Sequence, residues 1–122
     1  MADDSAMVIT QTRDNAVILT IQPTKLRDLL VVQTLKDQML AEVARSKAIK
    51  VLLDMRNVEM VGSVAFLAFL GIRRQPNVER VILCHLSPPV LELFHLCKLI
   101  ATDNHTAGPF EYAATIEDAF AA

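Results

Sequence analysis

Side chains able to do covalent or metal chemistry are few and scattered in this chain. The serines are Ser5, Ser46, Ser63 and Ser87, the cysteines Cys84 and Cys97, the histidines His85, His95 and His105. A serine or cysteine nucleophile needs an oriented base beside it, and no serine here lies in a GxSxG elbow. A metal site needs ligands clustered at fixed spacing. The histidines instead fall on a strand end, a helix and a loop, and no HxxxH or CxxC occurs. Asp103-Asn104-His105 reads as a solvated loop rather than a catalytic cluster. A phosphate-binding loop needs GxGxxG or GxxxxGK[ST], and the chain has only three glycines and neither motif. With no tryptophan, little is left to stack a ligand. The expectation is a non-enzymatic protein with no catalytic residue, no metal and no cofactor.

One hydroxyl stands out by position. In "VGSVAF", Val61 to Phe66, an apolar approach runs into Ser63 at the mouth of an almost wholly apolar helix. As an N-cap, Ser63 would accept from a backbone N–H two or three residues on, which typically contributes about 1 kcal/mol. The same helix end, with free N–H groups and a positive dipole end, would also tolerate a phosphate. Phosphorylation would add about −1.5 to −2 charge to an otherwise apolar surface and oppose docking there.

The rest of the chain must position that helix. Its 122 residues are one domain of ordinary size, with 52% hydrophobic content, ample for one core. A formal net charge of −2 is too close to neutral for a nucleic-acid or membrane-surface binder. The longest apolar run, Val64 to Ile72, is far short of the roughly 20 residues of a membrane span. "MADDSAMV" has no basic n-region and does not read as a signal peptide. The two cysteines read as free, buried thiols in a reducing cytosol, and the expected location is cytoplasmic.

Residues 1–7 are expected to be a flexible tail. "VITQTRDNAVILTIQP" reads as a hairpin turning at Arg13-Asp14-Asn15. "LRDLLVVQTLKDQMLAEVARSK" reads as a helix with Leu29, Val32, Leu35, Met39 and Val43 on one stripe. "IKVLLDM" and "VERVILCHL" read as strands buried on both faces. "SVAFLAFLGIRR" reads as a helix capped by Ser63 and ending at Arg73-Arg74. "SPPVLELFHLCKLI" follows as a helix with Ser87 as cap and Pro88 at its first position. "GPFEYAAT" is a last strand, and "TIEDAFAA" a short helix capped by Thr115. The order is β-β-α-β-α-β-α-β-α. It predicts an α/β domain over 1–122 with a mixed sheet, an edge hairpin followed by parallel strands, and helices packed on it.

These residues resemble the STAS domain, the family of sulfate transporters and anti-sigma factor antagonists. Its pattern is a strand ending in Asp or Asn, a loop, then Asp-Ser/Thr-Ser/Thr-Gly-Leu opening a helix. "VLLDMRNVEMVGSVAFLAFL" follows that layout without a gap, with Asp54 at the strand end. "VILCHLSPPVLELFHLCKL" looks like the family's fourth strand and third helix, and "ATIEDAFAA" like its C-terminal helix. The departures are local: Gly62 stands where the family has Asp, Val64 where switch-type members carry the phosphorylated hydroxyl, and Ala65 where they have Gly. Sliding the alignment to make Ser63 the acceptor breaks the spacing from Asp54, so Val64 is placed at the acceptor position and Ser63 is the alternative phosphosite.

The resemblance implies a signalling module in transcription regulation. Asp54, Asn57, Gly62, Ser63, Val64 and Phe66 would meet an anti-sigma factor of the serine-kinase type or other STAS chains, homodimers included. It equally allows a small STAS subunit of an ABC-type lipid-transport complex, or a scaffold component. Phe66 and Phe69 are not expected to share one core, which would leave apolar surface for an interface.

Overall fold

The computed structural model describes residues 7–100 and 108–121. The polar triplet at 103–105, with His105, lies outside them, as does most of the predicted N-terminal tail. Strands β1 (Val8–Arg13) and β2 (Ala16–Ile21) form the predicted hairpin. Its two-residue turn places Asp14 at φ 55°, a left-handed conformation that Asp tolerates better than most residues. After β3 (Lys25–Leu26) come α1 (Leu29–Ser46), β4 (Lys50–Asp54), β5 (Met60–Val61) and α2 (Ser63–Arg73). β6 (Arg80–Cys84), α3 (Pro88–Leu96), β7 (Glu111–Ala113) and α4 (Ile116–Ala121) complete the chain.

The main sheet has five strands in the order β1-β2-β4-β6-β7. Only the β1–β2 pair is antiparallel; β2, β4, β6 and β7 run parallel in register. The α/β class, the mixed sheet and the edge hairpin are as the sequence predicts. The sequence order lacks β3 and β5, which pair as a separate two-stranded parallel sheet. Two-residue strands are too short to carry a periodicity.

Alternation within the central strands splits the interior in two. Val51 and Leu53 of β4 join Leu19, Val81 and Leu83 in the large core under α1, α2 and α3. Leu52 points the other way, with Ile18, Ile82 and Cys84, into a smaller core closed by Ala119 of α4. Among the aromatic side chains, Phe69, Phe94 and Phe110 are fully buried and mutually packed, with ring centroids 6.1 to 6.5 Å apart.

Three local expectations change. The thiols are free, but only Cys84 is buried; Cys97, just past the end of α3, is exposed. Ser63 is not a cap. The small sheet carries the extended chain through Gly62, whose N–H donates to the Leu26 carbonyl, so Gly62 takes the cap position and α2 begins one residue earlier than predicted. Ser87 does hold the cap position of α3, but its hydroxyl makes no cap bond and is buried without a partner. Thr115 caps as predicted, its hydroxyl accepting from the Asp118 N–H at 3.0 Å.

The Ser87 geometry reverses the usual rule. Losing a serine cap normally costs about 1 kcal/mol. Here Ser87→Ala removes a buried, unpaired hydroxyl, so urea unfolding should show no loss, and up to about 1 kcal/mol of gain.

Candidate functional site

α1 begins at Leu29 because Asp28 caps it, the Oδ1 carboxylate accepting from the N–H groups of Leu30 (2.9 Å) and Val31 (3.2 Å). That start puts Leu29 and Leu30 in the first turn. Leu29 was predicted on the buried stripe and is 56% exposed; Leu30 is 74% exposed. The small β3–β5 sheet ties this helix start to the segment before α2. Glu59 and Met60 both donate to the Thr24 carbonyl, and Gly62 to that of Leu26. Gly62 lies so close that a Cβ there would stand 3.3 Å from the Cβ of Arg27.

The N-termini of α1 and α2 therefore form one surface. Ser63 is exposed on it, Val64 half-buried, and Met60 and Leu67 expose large apolar side chains. Between the helices runs a cleft of about 170 Å³ lined by Leu29, Val32, Gln33, Lys36, Val64, Leu67 and Ala68. Gly62, Ser63 and Val64, consecutive in the chain, lie on this surface; their neighbours Leu29, Leu30, Met60 and Leu67 are not among the residues the sequence singles out for it. The Asp28 cap is the signal that moves Leu29 off the core stripe.

The other predicted residues lie elsewhere. Asn57 is half-buried, its amide donating to the Ile21 carbonyl and the Gln22 side chain at 3.3 Å each. Phe66 packs edge-on against Phe94 of α3 with centroids 4.8 Å apart, and Phe69 is fully buried. The two phenylalanines do share the large core, contrary to expectation; the exposed apolar side chain of α2 is Leu67. Asp54 is 2% exposed and faces the α4 side of the sheet. Its carboxylate accepts from the Arg56 Nε (2.9 and 3.1 Å), the Arg56 backbone N–H (3.2 Å) and the Thr20 hydroxyl (3.3 Å). Arg56 Nη2 in turn lies 3.1 Å from His85 Nε2. A guanidinium can only donate, so this contact is a hydrogen bond in the tautomer whose Nε2 accepts.

A second, polar concavity of about 270 Å³ opens on that α4 face, lined by residues that include Gln11, Arg13, Arg56, His85 and Glu117. Its charges are paired. Arg13 bridges Glu117 through two bonds of 3.1 and 3.2 Å, which hold the Glu117 carboxyl below its ordinary range. Among the described residues no serine or cysteine lines it. Among the described residues no three of His, Cys, Asp and Glu come close enough to hold a metal ion, and no helix is long and apolar enough to cross a membrane.

The thiols differ in chemistry. Burial, with the nearby Asp54 charge adding to it, pushes the Cys84 thiol up to about 12. The fold thus favours the neutral thiol. That stabilisation is fully present below the ordinary ionisation near pH 8.5 and is lost as pH rises from there toward about 12, at roughly 1.4 kcal/mol per pH unit. Urea titrations on either side of this onset should show the decline, and Cys84→Ala should flatten it. A thiol reagent should find Cys97 at once in the native protein and Cys84 only on unfolding.

No curated protein matches the sequence. Solved structures do, at identities that speak for the fold. One is a Thermotoga maritima protein with a proposed role as anti-sigma factor antagonist: 17% identical, TM-score 0.70, covering 96% of this chain and 94% of that one. A second is an anti-sigma-factor antagonist (STAS) domain protein from Planctomyces limnophilus: 18% identical, TM-score 0.67, with 93% and 94% covered. The anti-sigma factor antagonist SpoIIAA in its unphosphorylated form is 16% identical with TM-score 0.62, over 93% and 94% of the chains. The family description "STAS domain" matches residues 7–116, nearly the whole chain. With its strand order, hairpin and helix placement as described, this chain belongs to the STAS domain family.

Proposed function

We propose that this protein is a non-enzymatic interaction module that acts as an anti-sigma factor antagonist, docking a partner on the surface where α1 and α2 begin. The observation that carries this reading is the cluster of exposed apolar side chains, Leu29, Leu30, Met60 and Leu67, around Ser63 and Val64. Exposed apolar clusters of this kind mark docking sites. The partner it fits is an anti-sigma factor of the serine-kinase type. Asp54 and Asn57 serve such an interface from behind, by fixing the chain between β4 and β5. Val64 at the family's acceptor position has no hydroxyl, so partner binding is constitutive with respect to phosphorylation there.

Calorimetry with a candidate anti-sigma factor kinase from the same cell tests the docking. Leu67→Asp, at a 67% exposed position, should keep the fold and weaken binding by roughly 30-fold or more, as at an interface anchor. An unchanged affinity would remove α2 from the interface. Incubation with the kinase and ATP, followed by mass spectrometry, tests the switch. No phosphate on the wild type and phosphate gained by Val64→Ser are expected; phosphate on Ser63 overturns the loss of the switch.

A further inference from the structure

The main sheet ends at β1, and the hairpin register determines which backbone groups that edge presents. The Met7 carbonyl accepts from Gln22, and the hairpin closes at Arg13 opposite Ala16. Hydrogen-bonded positions alternate along an antiparallel pair. Met7, Ile9, Gln11 and Arg13 therefore turn their backbone groups toward β2, while Val8, Thr10 and Thr12 turn theirs outward. No described strand pairs with them. Exposed edges are usually blunted by Pro, Lys or a bulge. β1 has none of these: its sequence is VITQTR and its register runs unbroken from Val8 to Arg13. Its one charge, Arg13, is held by Glu117, and Ile9 is 56% exposed.

The three outward residues are symmetric about Thr10. If a second β1 lies antiparallel with Thr10 on the two-fold axis, Thr10 meets Thr10 and Val8 meets Thr12 on either side. All the outward N–H and C=O groups of the three residues are then paired, and any other register leaves some unmatched. The facing side chains are β-branched, the type that fits cross-strand contact. Arg13 falls outside this ladder, so like charges do not meet, and Ile9 lies opposite Gln11 of the second copy.

The helix layer permits the same arrangement. α1 lies over β1 and β2, with Gln38 accepting from the Met7 N–H at 2.7 Å. Val31 and Thr34 share that flank by helical spacing; all three are half-buried and uncharged. A second α1 across the axis would lie two strand spacings away, about 10 Å, an ordinary helix-packing distance. We infer that the chain forms a two-fold dimer by antiparallel β1–β1 pairing, joining two five-stranded sheets into one continuous sheet. This goes beyond partner docking at α2, since Leu29 and Lys36, which line the docking cleft, are on the opposite flank of α1.

Sedimentation equilibrium over a concentration series should show a species of twice 13.5 kDa. Thr10→Pro removes an outward N–H and no internal bond, which an edge strand tolerates. It should yield a monomer with unchanged circular dichroism. Thr10→Cys in a Cys97→Ser background should oxidise to a covalent dimer, because facing residues of a hydrogen-bonded pair are within disulfide reach. A wild type that stays monomeric throughout, or a dimer that persists in a folded Thr10→Pro, overturns the inference. If Thr10→Pro unfolds, absence of the Thr10→Cys cross-link overturns it instead.

Discussion

Phe94→Ala should cost about 3–5 kcal/mol of unfolding free energy, the range for deleting a buried phenylalanine. Phe94 is fully buried and is the ring on which the core's aromatic contacts converge: Phe66 at 4.8 Å, Phe110 at 6.1 Å and Phe69 at 6.3 Å. These partners come from α2 and the segment entering β7, so no single side chain can move in to fill the space. Domains of this size have roughly 5–15 kcal/mol in total. The variant should therefore melt at least about 10 °C below the wild type, since each kcal/mol shifts Tm by several degrees. Leu96→Ala on the same helix is the control. Leu96 is 71% exposed, and its truncation should stay within about 0.5 kcal/mol. A Phe94→Ala cost below about 1 kcal/mol, read by calorimetry and urea unfolding, would show that α3 is not seated as described.

That contrast also shows where sequence reading succeeds. β4 and β6 are legible as short apolar runs because both faces of a central strand are buried, so every residue from Val51 to Asp54 and from Val81 to Cys84 lies inside. The α1 stripe is legible from Val32 onward because helical spacing reports the packed face. Leu29 has the right spacing and the wrong environment: periodicity says which side a residue is on, not whether anything covers it there. Ser63 was misplaced by one position because hydroxyl preference at caps is statistical, whereas the helix start is decided by the Gly62–Leu26 backbone bond, a tertiary contact. The proposed docking surface depends on β3 and β5, two residues each, and so on a pairing with no local pattern. Asp54 was legible as a position but not as a role, since its burial and its partners Thr20 and Arg56 follow from strand register.

Arg56→Ala should be the second most damaging change, at about 2 kcal/mol. Removing one member of a buried pair typically costs 3–5 kcal/mol, but the Arg56 side chain is 54% exposed, so water can partly replace it. Asp54 cannot be rehydrated in the same way. At 2% exposure it would keep only the Thr20 hydroxyl and the Arg56 backbone N–H. The cost therefore arises from the stranded carboxylate rather than from the lost guanidinium, and this makes a specific demand on a double-mutant cycle. Asp54→Asn removes the charge while leaving an acceptor for Thr20, so Arg56→Ala in that background should cost less than about 0.5 kcal/mol. Equal costs of Arg56→Ala in both backgrounds would mean the pair contributes no more than an ordinary surface contact. The consequence reaches the proposed docking surface through the chain itself. Arg56 joins the ends of β4 and β6 through Asp54 and His85, and the segment it anchors leads into Met60, Gly62 and Ser63. Arg56→Ala should therefore weaken partner binding without touching the partner, and Asp54→Asn should restore part of that loss along with the stability.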